Sequence, residues 1–159
     1  MSSGFTLVEL VMVIILIGVL SVLGIGLFTR SSAFSPLLTT QQLQSATLLA
    51  QQAALAGQPN VSLAIEHPAG GEPVFKAQFD SDGSGSNLPF IIQEFSLPEG
   101  EVSLTINSLS PPQTVDFNKR GAPEDGTNRT IVISGESNFT ICLSSLGAIY
   151  QGYQGACNG

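Results

Sequence analysis

Residues 10–28 read L-V-M-V-I-I-L-I-G-V-L-S-V-L-G-I-G-L-F, without one charged residue. A helix of about 20 such residues matches a hydrocarbon layer roughly 30 Å thick. A helix that is apolar all round must be buried in a protein core or in a membrane. Whatever the remaining chain folds into, it has to leave this segment an apolar environment. One carboxylate, Glu9, stands at its start. In lipid a carboxylate costs roughly 2.5–3.5 kcal/mol at mid-membrane and less near an interface. The segment therefore reads as a membrane helix with one costly acid, and that acid calls for a partner.

About 130 of the 159 residues remain, enough for one small domain with its own core. Glu9 and Arg30 are the only charged residues before Glu66, and the net charge is −7. That balance argues against nucleic acid as a main partner of the soluble part, because phosphate binding needs clustered Lys and Arg. It argues equally against an anionic membrane surface as its ligand, and a solvated acidic surface is the plainer reading.

Met1-Ser2-Ser3-Gly4 is a short polar leader without Lys or Arg. A secretory signal would have a basic start, an apolar core of about 7–15 residues and a small-x-small cleavage site. The apolar run here is longer than that, Glu9 is unwelcome in such a core, and Ser31-Ser32-Ala33 is only a weak cleavage site. A cleaved signal and a plain membrane anchor are therefore the lesser readings. Beyond Arg30, Pro36 either kinks the helix or restarts it at a first turn. Residues 37–56 are rich in helix formers. Leu43, Ala46, Ala50, Ala53 and Ala54 share one face, Leu38, Ser45, Leu49 and Ala56 approximate another, and glutamines fill the intervals. Gly57-Gln58-Pro59 is a stop signal.

After Pro59 the period changes to that of a strand. Val61, Leu63 and Ile65 alternate, as do Phe75, Ala77 and Phe79, then Val102, Leu104 and Ile106. Val115 and Phe117, Ile131 and Ile133, and Phe139, Ile141 and Leu143 repeat the pattern. Residues 88–95 are more continuously apolar and are interrupted by Pro89. Turn signals separate these runs at 68–71, 80–87, 98–100, 111–112 and 121–128. About seven short antiparallel strands after a helix give an α+β class.

No catalytic constellation is present: the chain has one His and lacks G-x-S-x-G, H-E-x-x-H and a phosphate-binding glycine loop. An enzyme is not expected, and no cofactor is called for. His67, beside Pro68, reads as a surface turn residue. Asp80-Ser81-Asp82-Gly83-Ser84 resembles the opening of a calcium loop, which makes Asp80 and Asp82 weak metal candidates. The closing Glu is absent, and a hydrophilic turn is the simpler reading. Residues 124–128 form a second, weaker acidic loop. Asn60, Asn128 and Asn138 begin N-x-S/T triplets that are short enough to occur by chance. Cys142 and Cys157 have no zinc-like spacing. In an exported domain they would form a disulfide contributing about 3 kcal/mol in the chain-entropy model; in a cytosolic protein they would be two buried thiols.

Gly4-Phe5-Thr6-Leu7-Val8-Glu9-Leu10, running into the uncharged helix, resembles the processing site and first helix of type IV prepilins and type II secretion pseudopilins. The resemblance implies cleavage between Gly4 and Phe5 by prepilin peptidase and N-methylation of Phe5. Leaders of that family usually carry Lys or Arg, which Met1-Ser2-Ser3-Gly4 does not; either the start lies upstream or orientation is set otherwise. The new amine at Phe5 would lie one helical turn from Glu9. Pairing Glu9 with its own amine, or with that of a neighbouring subunit, would offset the cost of a carboxylate in low dielectric. A headgroup-solvated Glu9 is the plain alternative. Gly18, Ser21, Gly24 and Gly26 would let neighbouring helices approach, and Gly26 stands where the family often has Pro.

A weaker resemblance covers the C-terminal half. Val115-Asp116-Phe117-Asn118-Lys119-Arg120-Gly121, then Ile131-Val132-Ile133-Ser134-Gly135, then residues 139–150 look like the strand pattern of H-type pseudopilins and related minor pilins. The C-type minor pilins of the mannose-sensitive haemagglutinin (MSHA) pilus are the nearest pattern. The expected organisation is a leader at 1–4, a transmembrane and filament-core helix at 5–28, its amphipathic continuation at 29–57, and a β-rich domain at 58–159. The implied function is that of a structural minor pilin in a pilus used for adhesion, resident in the inner membrane with its C-terminal domain in the periplasm before assembly. Implied partners are other pilins through the first helix, prepilin peptidase and methylase, the inner-membrane assembly platform and the bilayer. The alternatives are a type II secretion pseudopilin, whose filament stays periplasmic, a DNA-uptake minor pilin, and a membrane-anchored periplasmic binding protein. A DNA-binding role predicts a basic patch, and no Lys or Arg follows Arg129.

Overall fold

The computed structural model describes residues 6–28, 34–66, 74–80, 89–97, 102–153 and 155–157, with the side chains of 22–28 left out. Thr6 opens helix α1 (Leu7–Phe28). The Glu9 amide donates to Thr6 Oγ1 at 3.3 Å and to the Thr6 carbonyl at 3.1 Å. Thr6 thus supplies the hydroxyl cap that satisfies a first-turn N–H. Helix α2 (Ser35–Leu55) begins with Pro36 in its first turn, so this proline starts a helix rather than kinking one. It stops where Gly57 adopts φ +83, and the Gly57 and Gln58 amides return to the Ala54 and Ala53 carbonyls. The expected join between the two helices falls on residues 29–33, outside the described residues.

Eight strands follow among the described residues, where about seven were expected. They are β1 (Val61–Glu66), β2 (Val74–Phe79), β3 (Phe90–Ser96), β4 (Ser103–Ile106), β5 (Gln113–Phe117), β6 (Arg129–Ser134), β7 (Phe139–Leu143) and β8 (Ile149–Gln151). The additional strand, β8, spans three residues, too few for an alternation to show. The strands divide into two antiparallel sheets, ordered β3-β2-β1-β5 and β4-β6-β7-β8. Strand β5 crosses back to pair with β1, with Leu63 opposite Val115. Pro89 does not break a strand: β3 starts immediately after it, where its missing N–H costs no ladder bond.

One core joins α2 to both sheets. Leu43, Ala46, Ala50 and Ala54 of the helix are buried with Leu63, Ile65 and Phe75 of the first sheet and Ile131, Ile133 and Ile141 of the second. The alanines let the helix backbone sit close to the strands. This arrangement is α+β, with a helix packed on antiparallel sheets.

Two features of α2 depart from the expected face pattern. Thr39, Thr40 and Thr47 are buried, and each hydroxyl donates to the carbonyl four residues earlier at 2.7–2.8 Å. A hydroxyl satisfied within its own helix can enter an apolar core without an orphaned donor. Gln51 is also buried, contrary to the expectation that the glutamines fill polar intervals. Its amide nitrogen donates to the Gly121 carbonyl at 2.9 Å and to the Gly147 carbonyl at 2.6 Å. Ala53 is only half-buried, while Leu38 is exposed.

Candidate functional site: an apolar helical surface

The most unusual surface of the molecule is helical. On α1 the large apolar side chains from Leu7 to Leu20 are exposed, between 42% for Val13 and 78% for Leu7. They leave no polar face: Glu9 is the helix's only charged residue. Gly18 has open space where a Cβ would point. The Ser21 hydroxyl donates to the Ile17 carbonyl at 2.7 Å, so this polar group is satisfied inside its own helix. Among the described residues, no helix is long and apolar enough to cross a membrane; on α1 the described side chains end at Ser21, before the helix itself does.

The exposed apolar character continues on α2. Phe34, Leu37, Leu48 and Leu55 follow one another at spacings that return to one helix face, and all are exposed. That face lies opposite Leu43 and Ala50, which are fully buried. Helix α2 is therefore apolar on both sides, inward against the sheets and outward in a stripe interrupted by Gln41 and Gln44.

Glu9 is exposed in the first turn of α1. There its charge opposes the partial positive charge of the helix N-terminus. Thr6 and Glu9 have the spacing of a capping box, a signal local to the sequence. The proposed cleavage and methylation positions, Gly4 and Phe5, lie outside the described residues, as do Asp82 and His67. Asp80 is buried just beyond β2. Among the described residues no group of three His, Cys, Asp or Glu side chains is placed to hold a metal ion.

Cys142 on β7 and Cys157 beyond β8 form a disulfide, with Cα atoms 5.5 Å apart. It closes the hairpin that carries Leu146 at its turn and Tyr153 after its second strand, both strongly exposed. The acidic loop at 124–128 is folded on itself. Asp125 accepts bonds from the Thr127 amide at 3.1 Å and the Thr127 hydroxyl at 3.0 Å, and it pairs with Arg129. The Arg129 hydrogen bond, followed by that from the Thr127 amide, holds the Asp125 carboxyl below its ordinary value of 3.8. Asp125 and Arg129, with Thr114, Asp116 and Glu124, line an open cleft of about 420 Å³. Of the three Asn triplets, Asn128 accepts the Ser145 amide at 2.7 Å, Asn60 sits at φ +46 and Asn138 is exposed.

No family model and no curated relative matches this chain. Among solved structures, the chain is similar to a crystal structure of the type IV minor pilin FimU of Pseudomonas aeruginosa in space group P21. That similarity has a TM-score of 0.49 and 16% identity, covering 72% of this chain and 91% of that one. A second FimU crystal structure, in space group P65, is similar with a TM-score of 0.48 and 15% identity, covering 69% of this chain and 92% of that one.

Proposed function

We propose that this chain is a structural subunit of a type IV pilin-class filament, a minor pilin. The observation that carries the reading is α1: a helix of 22 residues whose described apolar side chains are exposed, with one acid in its first turn. What supports a membrane span is the sequence, which is uncharged from Leu10 to Phe28, a length suited to a hydrocarbon layer of roughly 30 Å. Burying such a surface contributes about 25 cal/mol per Å² of apolar area, in a bilayer or among identical helices alike. The same segment therefore serves as an inner-membrane anchor before assembly and as filament core afterwards. The outward stripe of α2 extends that packing surface beyond the membrane, and the β domain with its disulfide hairpin faces outward. The order of residues from Gly4 to Leu10 supports processing before Phe5, and the C-terminal strand pattern supports the C-type minor pilin of an MSHA pilus.

In this reading Glu9 sets register. Its carboxylate pairs with the Phe5 amine of a neighbour, and insertion beside that neighbour removes the cost of an unpaired acid. The first-turn position adds a local interaction that exists in every state of the chain, so it does not discriminate assembled from unassembled subunits.

Two experiments test the proposal. Intact-mass measurement after co-expression with prepilin peptidase should show a chain beginning at N-methylated Phe5; a chain still beginning at Met1 would sink the filament reading. The variant Glu9→Leu should insert into the inner membrane as well as wild type but fail to enter filaments. Incorporation at wild-type levels would remove the register role from Glu9.

A further inference from the structure

We propose that Gln51 is a latch that sets the orientation of the disulfide hairpin's turn relative to α2, independently of whether the chain assembles. A primary amide has two N–H donors, and here both are spent on backbone carbonyls of distant segments, Gly121 and Gly147. Gly121 lies just beyond β5 of the first sheet, and Gly147 lies in the turn between β7 and β8 of the second. Both adopt positive φ, +72 and +93. A Cβ at position 147 would stand 2.5 Å from the Gly121 carbonyl oxygen and 3.2 Å from the Gln51 amide nitrogen. The two turns can meet on Gln51 only because that position carries no side chain.

Apart from Gln51, the first turn is closed on itself, and the second is also tied to the loop before β6, where Asn128 Oδ1 accepts the Ser145 amide at 2.7 Å. In the first, Asn118 Oδ1 accepts the Arg120 and Ala122 amides, and the Gly121 amide returns to the Asn118 carbonyl. In the second, the Gly147 amide returns to the Ser144 carbonyl, and the Ala148 amide donates to Ser144 Oγ. Neither set of bonds fixes a turn to the helix; Gln51 does. The disulfide and the β6-β7-β8 ladder hold the hairpin together whether or not the latch is closed. Opening the latch therefore releases from α2 the turn bearing Leu146, the most exposed large apolar residue described, while leaving the Ser145–Asn128 bond and both sheets in place.

The test is amide hydrogen exchange on the full chain in detergent. Gln51→Leu removes both donors at similar volume. Gln51→Glu places a carboxylate, an acceptor only when ionised, against two carbonyl oxygens, and regains one donor on protonation. At neutral pH both variants should exchange about tenfold faster at 118–122 and 144–148, the scale of one lost hydrogen bond, with wild-type protection retained in β1 and β6. Acidification should restore protection of one of the two turns in Gln51→Glu relative to wild type at the same pH, since a protonated carboxyl has one donor, and should restore neither in Gln51→Leu. Unchanged protection of both turns in Gln51→Leu would overturn the proposal. A loss spread equally over β1 and β6 would also overturn it, since Gln51 would then be an ordinary core residue. Should Gln51→Glu fail to fold, Gln51→Leu alone decides.

Discussion

Replacing Leu43 and Leu48 separately by alanine probes the two faces of α2 with the same chemical change. Leu43 is 0% exposed at the centre of the core shared by both sheets, and Leu48 is 46% exposed on the outward stripe. Truncating a fully buried Leu loses its transfer free energy and leaves a cavity, a combined cost of about 2.7–5 kcal/mol. Leu43 is surrounded by the helix and by strands that are themselves buried, which limits collapse of the void, so the loss belongs in the upper half of that range. Fully burying a Leu contributes about 1.5–3 kcal/mol. Leu48 is buried only in part and leaves no closed cavity, so its truncation should cost about 1 kcal/mol or less. Both substitutions have similar helix propensity effects, which cancel in the comparison. Urea unfolding of the full chain in detergent, followed by circular dichroism, measures the difference. Leu43→Ala should shift the midpoint far more than Leu48→Ala at unchanged slope. In cells Leu43→Ala should lower the amount of protein, whereas Leu48→Ala should leave the amount intact and, under the proposed filament role, reduce incorporation into filaments. Equal midpoint shifts would refute the two-faced helix.

Removing both cysteines as Cys142→Ala with Cys157→Ala should cost about 3 kcal/mol for a loop of this length and lower Tm by about 10 °C; an unchanged Tm would show that the β7-β8 hairpin persists without its clasp. The Asp125–Arg129 bridge should be visible in a pH titration. The Asp125 pKa is lowered in the folded state, so the bridge stabilises above the ordinary value of 3.8 and is lost as pH falls through the lower folded-state value. In Arg129→Met the Asp125 carboxyl resonance should titrate at higher pH than in wild type, and an identical titration would show that the pairing does not persist in solution. Asp125 is about half exposed, so the effect on overall stability should be small.

Much of the fold was legible in local order. The apolar run, the stop at Gly57 and the alternations of β1, β2 and β5 are properties of neighbouring residues, and the structure places these elements where the periodicity changes. The cysteines were legible as a pair because nothing else in the chain offered either of them a partner. The buried threonines and Gln51 were not legible as core residues. A hydroxyl that bonds its own helix looks polar in sequence and behaves as apolar surface in the fold. Gln51 looks like its neighbouring glutamines because its two acceptors lie 70 and 96 residues away. The capping pattern of Thr6 and Glu9 is local, so it is readable from residue spacing alone.

The sequence by itself determined that α1 calls for an apolar environment, in a protein core or in a membrane, because an apolar run with one charge cannot be reconciled with water on all sides. It also determined that a helix would be followed by strands, because hydrophobic period is set by backbone geometry. Only the tertiary structure decided that the strands divide into two sheets and that one amide of α2 ties a turn from each. Those outcomes depend on pairings between segments far apart in the chain, whose register is chosen by side chains that meet only after folding.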